Sequence, residues 1–312
     1  MFASLTPNAI AFLAGIFALL VSASLIIRQL QRRHPQRDLS ELSARMKSWW
    51  VMVGVFAIAI TLSPGLALFF LGFVSFLALK EYLSLIPTRR ADRRVLFWAY
   101  LAIPVQYYWV AIGWYGTFII FIPVYLFLFL PLRMVTIGET AGFLHAAGSL
   151  HWGLMLTVFN LSHLAYLLVL PEATNPAGGG AGLVLFLMFL TQFNDVMQYV
   201  WGKAFGRHRI IPKVSPNKTW EGFIGGVATT TLLAWALAPL LTPLSGWQAP
   251  AAGLLIGLAG FTGDVNLSAL KRDLGVKDSG SLIPGHGGIL DRLDSLTFTA
   301  PLFFHFLYYL HY

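Results

Sequence analysis

Residues 263–294 read GDVNLSALKRDLGVKDSGSLIPGHGGILDRLD, and the contrast between this stretch and its surroundings decides the fold. Five carboxylates (Asp264, Asp273, Asp278, Asp291, Asp294) and four basic residues (Lys271, Arg272, Lys277, Arg292) stand here beside a glycine-rich turn. Elsewhere the chain is mostly apolar: of 312 residues 57% are hydrophobic and only 11% charged, and the mean hydropathy is +0.71. Soluble domains carry about 25% charged residues, so the composition predicts an all-α integral membrane protein. Its apolar runs reach the roughly 20 residues that cross a hydrocarbon core of ~30 Å. Cysteine is absent, which excludes disulfides and thiolate metal sites. The net charge of +8 would suit nucleic acid, but its placement points to a membrane and to no nucleic-acid partner.

Hydropathy predicts a polytopic bundle of about ten transmembrane helices, at 9–27, 48–62, 65–86, 95–112, 114–132, 151–170, 181–200, 222–242, 251–270 and 293–311. Ser63-Pro64-Gly65 splits one long apolar run into a hairpin, and Gly113 separates the fourth and fifth spans. Pro104 and Pro123 are tolerable as kinks inside spans. Ala9–Ile27 has no basic region before it and no clear cleavage site after it, so it reads as a first span. All 21 Lys and Arg fall in 28–47, 80–94, Arg133, 203–218 and 271–292. With ten spans these segments share one side, which the positive-inside rule makes cytoplasmic, with both termini on the opposite face. Polar chemistry gathers between Asp195 and Asp294. That divides the chain into an N-terminal supporting region, 1–180, and a C-terminal membrane-embedded catalytic region, 181–312.

Three clusters in the second region carry candidate chemistry. Asp195, Tyr199 and Gly202 stand at i, i+4 and i+7, on one helix face. A carboxylate at that depth is costly in lipid and normally faces a polar interior; the plainer reading pairs it with Lys203 at the membrane boundary. Ser215 and Thr219 are helix-capping types ahead of the eighth span. A helix start there offers free N–H groups to an anion, with Lys218 adding charge, although an ordinary capped helix explains it equally. In the third cluster, Asp264, Ser268 and Lys271 form one polar stripe, and Asp291 and Asp294 share a face three residues apart. Like charges in a weakly solvated place require a cation, and oxygen ligands without cysteine favour Mg²⁺ over zinc. The glycines around His286 let backbone approach a phosphate closely. A basic loop lying on anionic lipid explains the cations but not the carboxylates.

At these residues a family resemblance becomes specific. Ser268, Lys271-Arg272, Lys277-Asp278, Pro284-Gly-His286-Gly-Gly288, Asp291-Arg292 and Asp294, with their spacing, resemble the signature of phosphatidate cytidylyltransferases. Ser215-Pro-Asn-Lys218-Thr-Trp-Glu-Gly222 is similar to a second motif of that family. Asn194-Asp195 with Tyr199 and Gly202-Lys203 is similar to a third, although Val196-Met197-Gln198 stand where the family usually has small residues. The resemblance covers about the last 130 residues. It implies transfer of CMP from CTP to phosphatidic acid, using Mg²⁺, in a bacterial inner membrane; a second cation and a homodimer are compatible with it.

On this reading Asp264, Asp291 and Asp294 hold metal, with Lys271 as a further catalytic group. Asp195, Ser215, Lys218, Arg272, Lys277, His286 and Arg292 bind the substrates, CTP and a membrane lipid. A CTP-dependent lipid-alcohol kinase is the nearest rival. A cation-coupled transporter is more remote, because it would spread polar residues through the midplane, whereas here the acids gather at helix ends.

Overall fold

The computed structural model describes residues 5–34, 36, 38–280, 282 and 287–312. It is a helical bundle, as the composition predicts. In chain order the helices are α1 (Pro7–Arg33), α2 (Ser40–Leu62), α3 (Pro64–Leu85), α4 (Arg93–Ala111), α5 (Tyr115–Val135), α6 (Phe143–Val169), α7 (Gly179–Phe205), α8 (Trp220–Leu241), α9 (Gln248–Asp273), α10 (Leu290–Leu293) and α11 (Leu296–His311). Among the described residues the only sheet is a two-stranded antiparallel hairpin, β1 (Arg209–Ile211) and β2 (Ser215–Thr219).

Eight of these helices, all but α4, α10 and α11, are long and apolar enough to cross a membrane, and the expectation of about ten is corrected accordingly. The protein is an integral membrane protein. The two expected spans that fall short do so for different reasons. Helix α11 has 16 residues, which at 1.5 Å per residue rise only ~24 Å. Helix α4 opens on Arg93-Arg94 and carries Gln106 inside, which dilutes its apolarity. Both still pack in the bundle: Ala99, Ile103 and Val110 of α4, and Ala300, Phe303 and Phe304 of α11, are buried.

Local chemistry sets the breaks. Ser63 caps α3, its hydroxyl accepting from the Leu66 N–H at 3.1 Å, with Pro64 at the first helical position. Gly113, at φ +66°, turns the chain between α4 and α5. Pro123 does not merely kink α5; residues Phe121–Leu126 widen into a π-helical turn around it. Asn175 ties the 171–180 turn to the end of α8 through the Leu241 carbonyl at 2.9 Å.

What positions the functional end is close packing of α7, α8, α9 and α11 through small residues, the usual means by which membrane helices approach. A Cβ on Gly222 would lie 2.7 Å from the Gln198 carbonyl, and one on Gly263 would lie 2.4 Å from the Asp294 carbonyl. The second contact brings α9 against the turn before α11, so Asp264 and Asp294 become neighbours. Gly263→Ala is therefore expected to destabilise the protein by about 1–3 kcal/mol. Gly15→Ala, where nothing lies within 4 Å, should leave thermal unfolding in detergent unchanged.

Candidate functional site

The polar stripe on α9 forms as its spacing predicts. The Ser268 hydroxyl donates to Asp264 Oδ1 at 3.2 Å, while Asp264 Oδ2 meets Lys218 Nζ at 2.6 Å. Lys218 comes from β2, just before α8, and also donates to Gln198 Oε1 on α7 at 3.0 Å. One ammonium thus links three elements. Gln198 is one of the larger residues standing where small ones are usual, and holding Lys218 is its structural use. Asp195, half-buried on the same helix, does not pair with Lys203; it accepts from the Ser295 hydroxyl at 3.1 Å, while Lys203 lies over the Tyr199 ring. Asp195, Asp264 and Asp294 stand close enough for each to feel the charge of at least one other. Asn194, next in sequence, is buried and bonds the Gly257 carbonyl, so it holds helices together rather than facing the site.

Asp291 has a different environment. It is 6% exposed, and Lys271 Nζ donates to its Oδ1 at 2.7 Å. Its Oδ2 accepts from the N–H groups of Ser279 and Gly288, at 2.8 and 3.0 Å. Burial alone would raise this carboxyl, but Lys271 and the two N–H groups outweigh it and hold Asp291 below the usual carboxylate range. The pair's contribution is therefore present at neutral pH and lost only as pH falls through that lowered value.

The remaining expected residues divide. Thr219 caps α8, accepting from the Gly222 N–H at 3.2 Å, but Ser215 lies in β2 and caps nothing. Arg272 Nε donates to the Val214 carbonyl at 3.2 Å and so docks the hairpin. Lys277 is exposed. Arg292 is half-buried, with no hydrogen-bond partner at its Nε among the described residues. His286 lies outside the described residues.

Glu81, near the end of α3 and outside the three clusters singled out in the sequence, also enters this site. Its Oε1 accepts from the Ser279 hydroxyl and from the Leu290 N–H at 3.0 Å, and its Oε2 from the Ile289 N–H at 2.9 Å. The carboxylate occupies the exposed N–H groups at the start of α10, where negative charge is favoured. Gly288 is required beneath it, since a Cβ there would lie 2.1 Å from Glu81 Oε1.

A sequence model of the cytidylyltransferase family matches residues 43–310. The chain belongs to that family. It is a nucleotidyltransferase. A protein named "Uncharacterized protein YnbB" from Escherichia coli K12 is 50% identical over 297 residues, covering 95% of this chain and 97% of that protein. A phosphatidate cytidylyltransferase of Brucella abortus is 40% identical over 127 residues, 41% of this chain and 47% of its own length. One of Staphylococcus aureus is 40% identical over 124 residues, 39% and 48%. This nucleotidyltransferase thus spans about half the length of those two relatives.

The donor set at Asp195, Asp264 and Asp294 is all oxygen, and its mutual repulsion suits a hard cation such as Mg²⁺. As the side chains stand, no three histidine or carboxylate groups among the described residues are disposed to hold a metal ion. Lys218 takes one oxygen of Asp264, and Asp291 is fully engaged. Lys218 therefore stands where it competes with an ion for Asp264.

Removing the Glu81 carboxylate should leave two N–H groups and a hydroxyl without their acceptor. Glu81→Ala is expected to cost about 1–3 kcal/mol and to speed amide hydrogen exchange at Ile289 and Leu290. Lys80→Ala, at an exposed neighbour, should change neither; equal exchange in the two variants would refute the role given to Glu81.

Proposed function

We propose that the enzyme transfers CMP from CTP to phosphatidic acid, giving CDP-diacylglycerol and pyrophosphate. The observation that carries this reading is the gathering of Asp195, Asp264, Asp294 and Lys218 at one polar end of an apolar bundle. A phosphate oxygen of phosphatidic acid attacks the α-phosphorus of CTP. The bond to the oxygen bridging toward the β-phosphate breaks, and pyrophosphate leaves with that electron pair. The nucleophile is already anionic, so the demand is for positioning and charge neutralisation rather than for a strong base.

Lys218 and Lys271 are suited to that task, because each already holds a carboxylate that a phosphate can replace. Asp264 and Asp294, with Asp195 beside them, offer oxygen ligands to Mg²⁺ once Lys218 swings toward a phosphate; Asp291 joins them only on release from Lys271. When bound, Mg²⁺ neutralises charge on the CTP phosphates. The lipid side is supported by an apolar cavity of about 300 Å³ next to the signature, lined among others by Val55, Phe70, Leu77, Met188 and Leu293. Arg292 is its one charged lining residue among those described, which suits acyl chains ending in a phosphate.

The orientation belongs to the same proposal. The end of the bundle that carries the site is basic, with Lys218, Lys271, Arg272 and Arg292 on it. That end then lies at the cytoplasmic face of a bacterial inner membrane, where CTP is available.

Purified protein should form CDP-diacylglycerol from CTP and phosphatidic acid, lose that activity in EDTA and regain it with Mg²⁺. Asp264→Asn is expected to lower the rate by about 100-fold or more while unfolding at the wild-type temperature. A fully active Asp264→Asn protein would remove Asp264 from the site.

A further inference from the structure

Away from the catalytic end, a second charged cavity lies between the start of α4 and the end of α5. It measures about 640 Å³ and is lined by Arg93, Arg94, Arg133 and Thr136, with Ala91, Val95 and Ile137. Two acids stand near these arginines in sequence, and both are committed elsewhere. Asp92 is gripped by Arg89, Nε to Oδ2 at 2.6 Å and Nη2 to Oδ1 at 2.9 Å. Glu139 accepts from the Ala141 N–H of its own turn at 2.9 Å. Arg133 finds only the Thr136 hydroxyl, at 3.3 Å, and its Nε is buried without a partner. Among the described residues, no ion pair neutralises Arg93, Arg94 or Arg133.

Three uncompensated guanidinium groups around one cavity repel each other, and an anion relieves that repulsion. Phosphate matches the planar donor fork of arginine better than any other common anion. The surface beneath the arginines narrows the choice. Phe97 lies one turn along α4 from Arg93, and Leu128 and Leu132 precede Arg133 on α5; all three are exposed apolar side chains. Charge above an apolar face fits an amphiphile rather than a soluble ion, and basic pockets between membrane helices are known to take anionic head groups.

We infer that this cavity binds the phosphodiester head group of an anionic bilayer phospholipid, with its acyl chains lying over Phe97, Leu128 and Leu132. The site shares no residue with the proposed catalytic cluster, and its ligand needs no terminal phosphate. It holds whether or not the lipid acceptor of the reaction is phosphatidic acid.

The test is a native mass-spectrometric titration of the full chain in zwitterionic detergent with phosphatidylglycerol, without CTP. Arg93→Gln/Arg94→Gln/Arg133→Gln should weaken binding by at least about tenfold. Arg28→Gln/Arg32→Gln/Arg33→Gln, which removes equal charge from the exposed end of α1, and Asp264→Asn should bind as wild type does. Equal weakening in both triple variants, or none in the first, would overturn the site. If inorganic phosphate alone displaces the lipid at low millimolar concentration, the cavity is a free-phosphate site and the lipid assignment falls. Should the first triple variant unfold in lipid-free detergent, Arg133→Gln alone carries the comparison.

Discussion

Gathering Glu81, Asp195, Asp264, Asp291 and Asp294 at one end of an apolar bundle is the costliest feature of this fold, and much of the local structure answers it. Buried charge is tolerated only when paired or hydrogen-bonded. Two lysines and a set of backbone N–H groups supply those partners. Lys218 holds Asp264, Lys271 holds Asp291, and the N–H groups of Ser279, Gly288, Ile289 and Leu290 are distributed between Asp291 and Glu81. Asp195 and Asp294 are left with a hydroxyl and an N–H of Ser295. That uneven provision marks where a cation or a substrate phosphate has most to offer.

The same pairings connect parts that are remote in the chain. Glu81 precedes Ser279 by 198 positions, so the first half of the bundle does more than support the second: one of its side chains shapes the turn from which α10 starts. Glycines make the approach possible on the other side. Without Gly263, α9 could not lie against the Asp294 backbone, and without Gly222, α8 could not reach Gln198. Packing of small residues and pairing of charges thus solve one problem together, since the ion pairs reach across only because the helices are this close.

How much of this could be read in advance depended on distance along the chain. The Asp264–Ser268–Lys271 stripe was legible because helical spacing alone places it. The breaks at Ser63-Pro64-Gly65 and at Gly113 were legible because proline and glycine punctuate a helix. The Lys271–Asp291 pair joins residues 20 apart on different helices, which no periodicity encodes. Glu81 beside Lys80 at the end of an apolar helix looks like an ordinary membrane boundary. The β1–β2 hairpin is not legible because Ser215-Pro-Asn-Lys-Thr219 is built of residues that disfavour strands, and that strand's only pairing among the described residues is with the short β1. Apolarity alone predicts a span at α11, while its length of 16 residues falls short of a bilayer.

Family membership makes this chain a nucleotidyltransferase, and the proposed reaction is attack at the α-phosphorus with pyrophosphate as the leaving group. The most direct test follows each phosphorus of CTP separately. Protein supplied with phosphatidic acid and CTP radiolabelled at the α position should place the label in lipid. CTP labelled at the γ position should release it as pyrophosphate. Label from the γ position appearing in lipid would contradict the account, because it would mean that the site transfers phosphate rather than CMP.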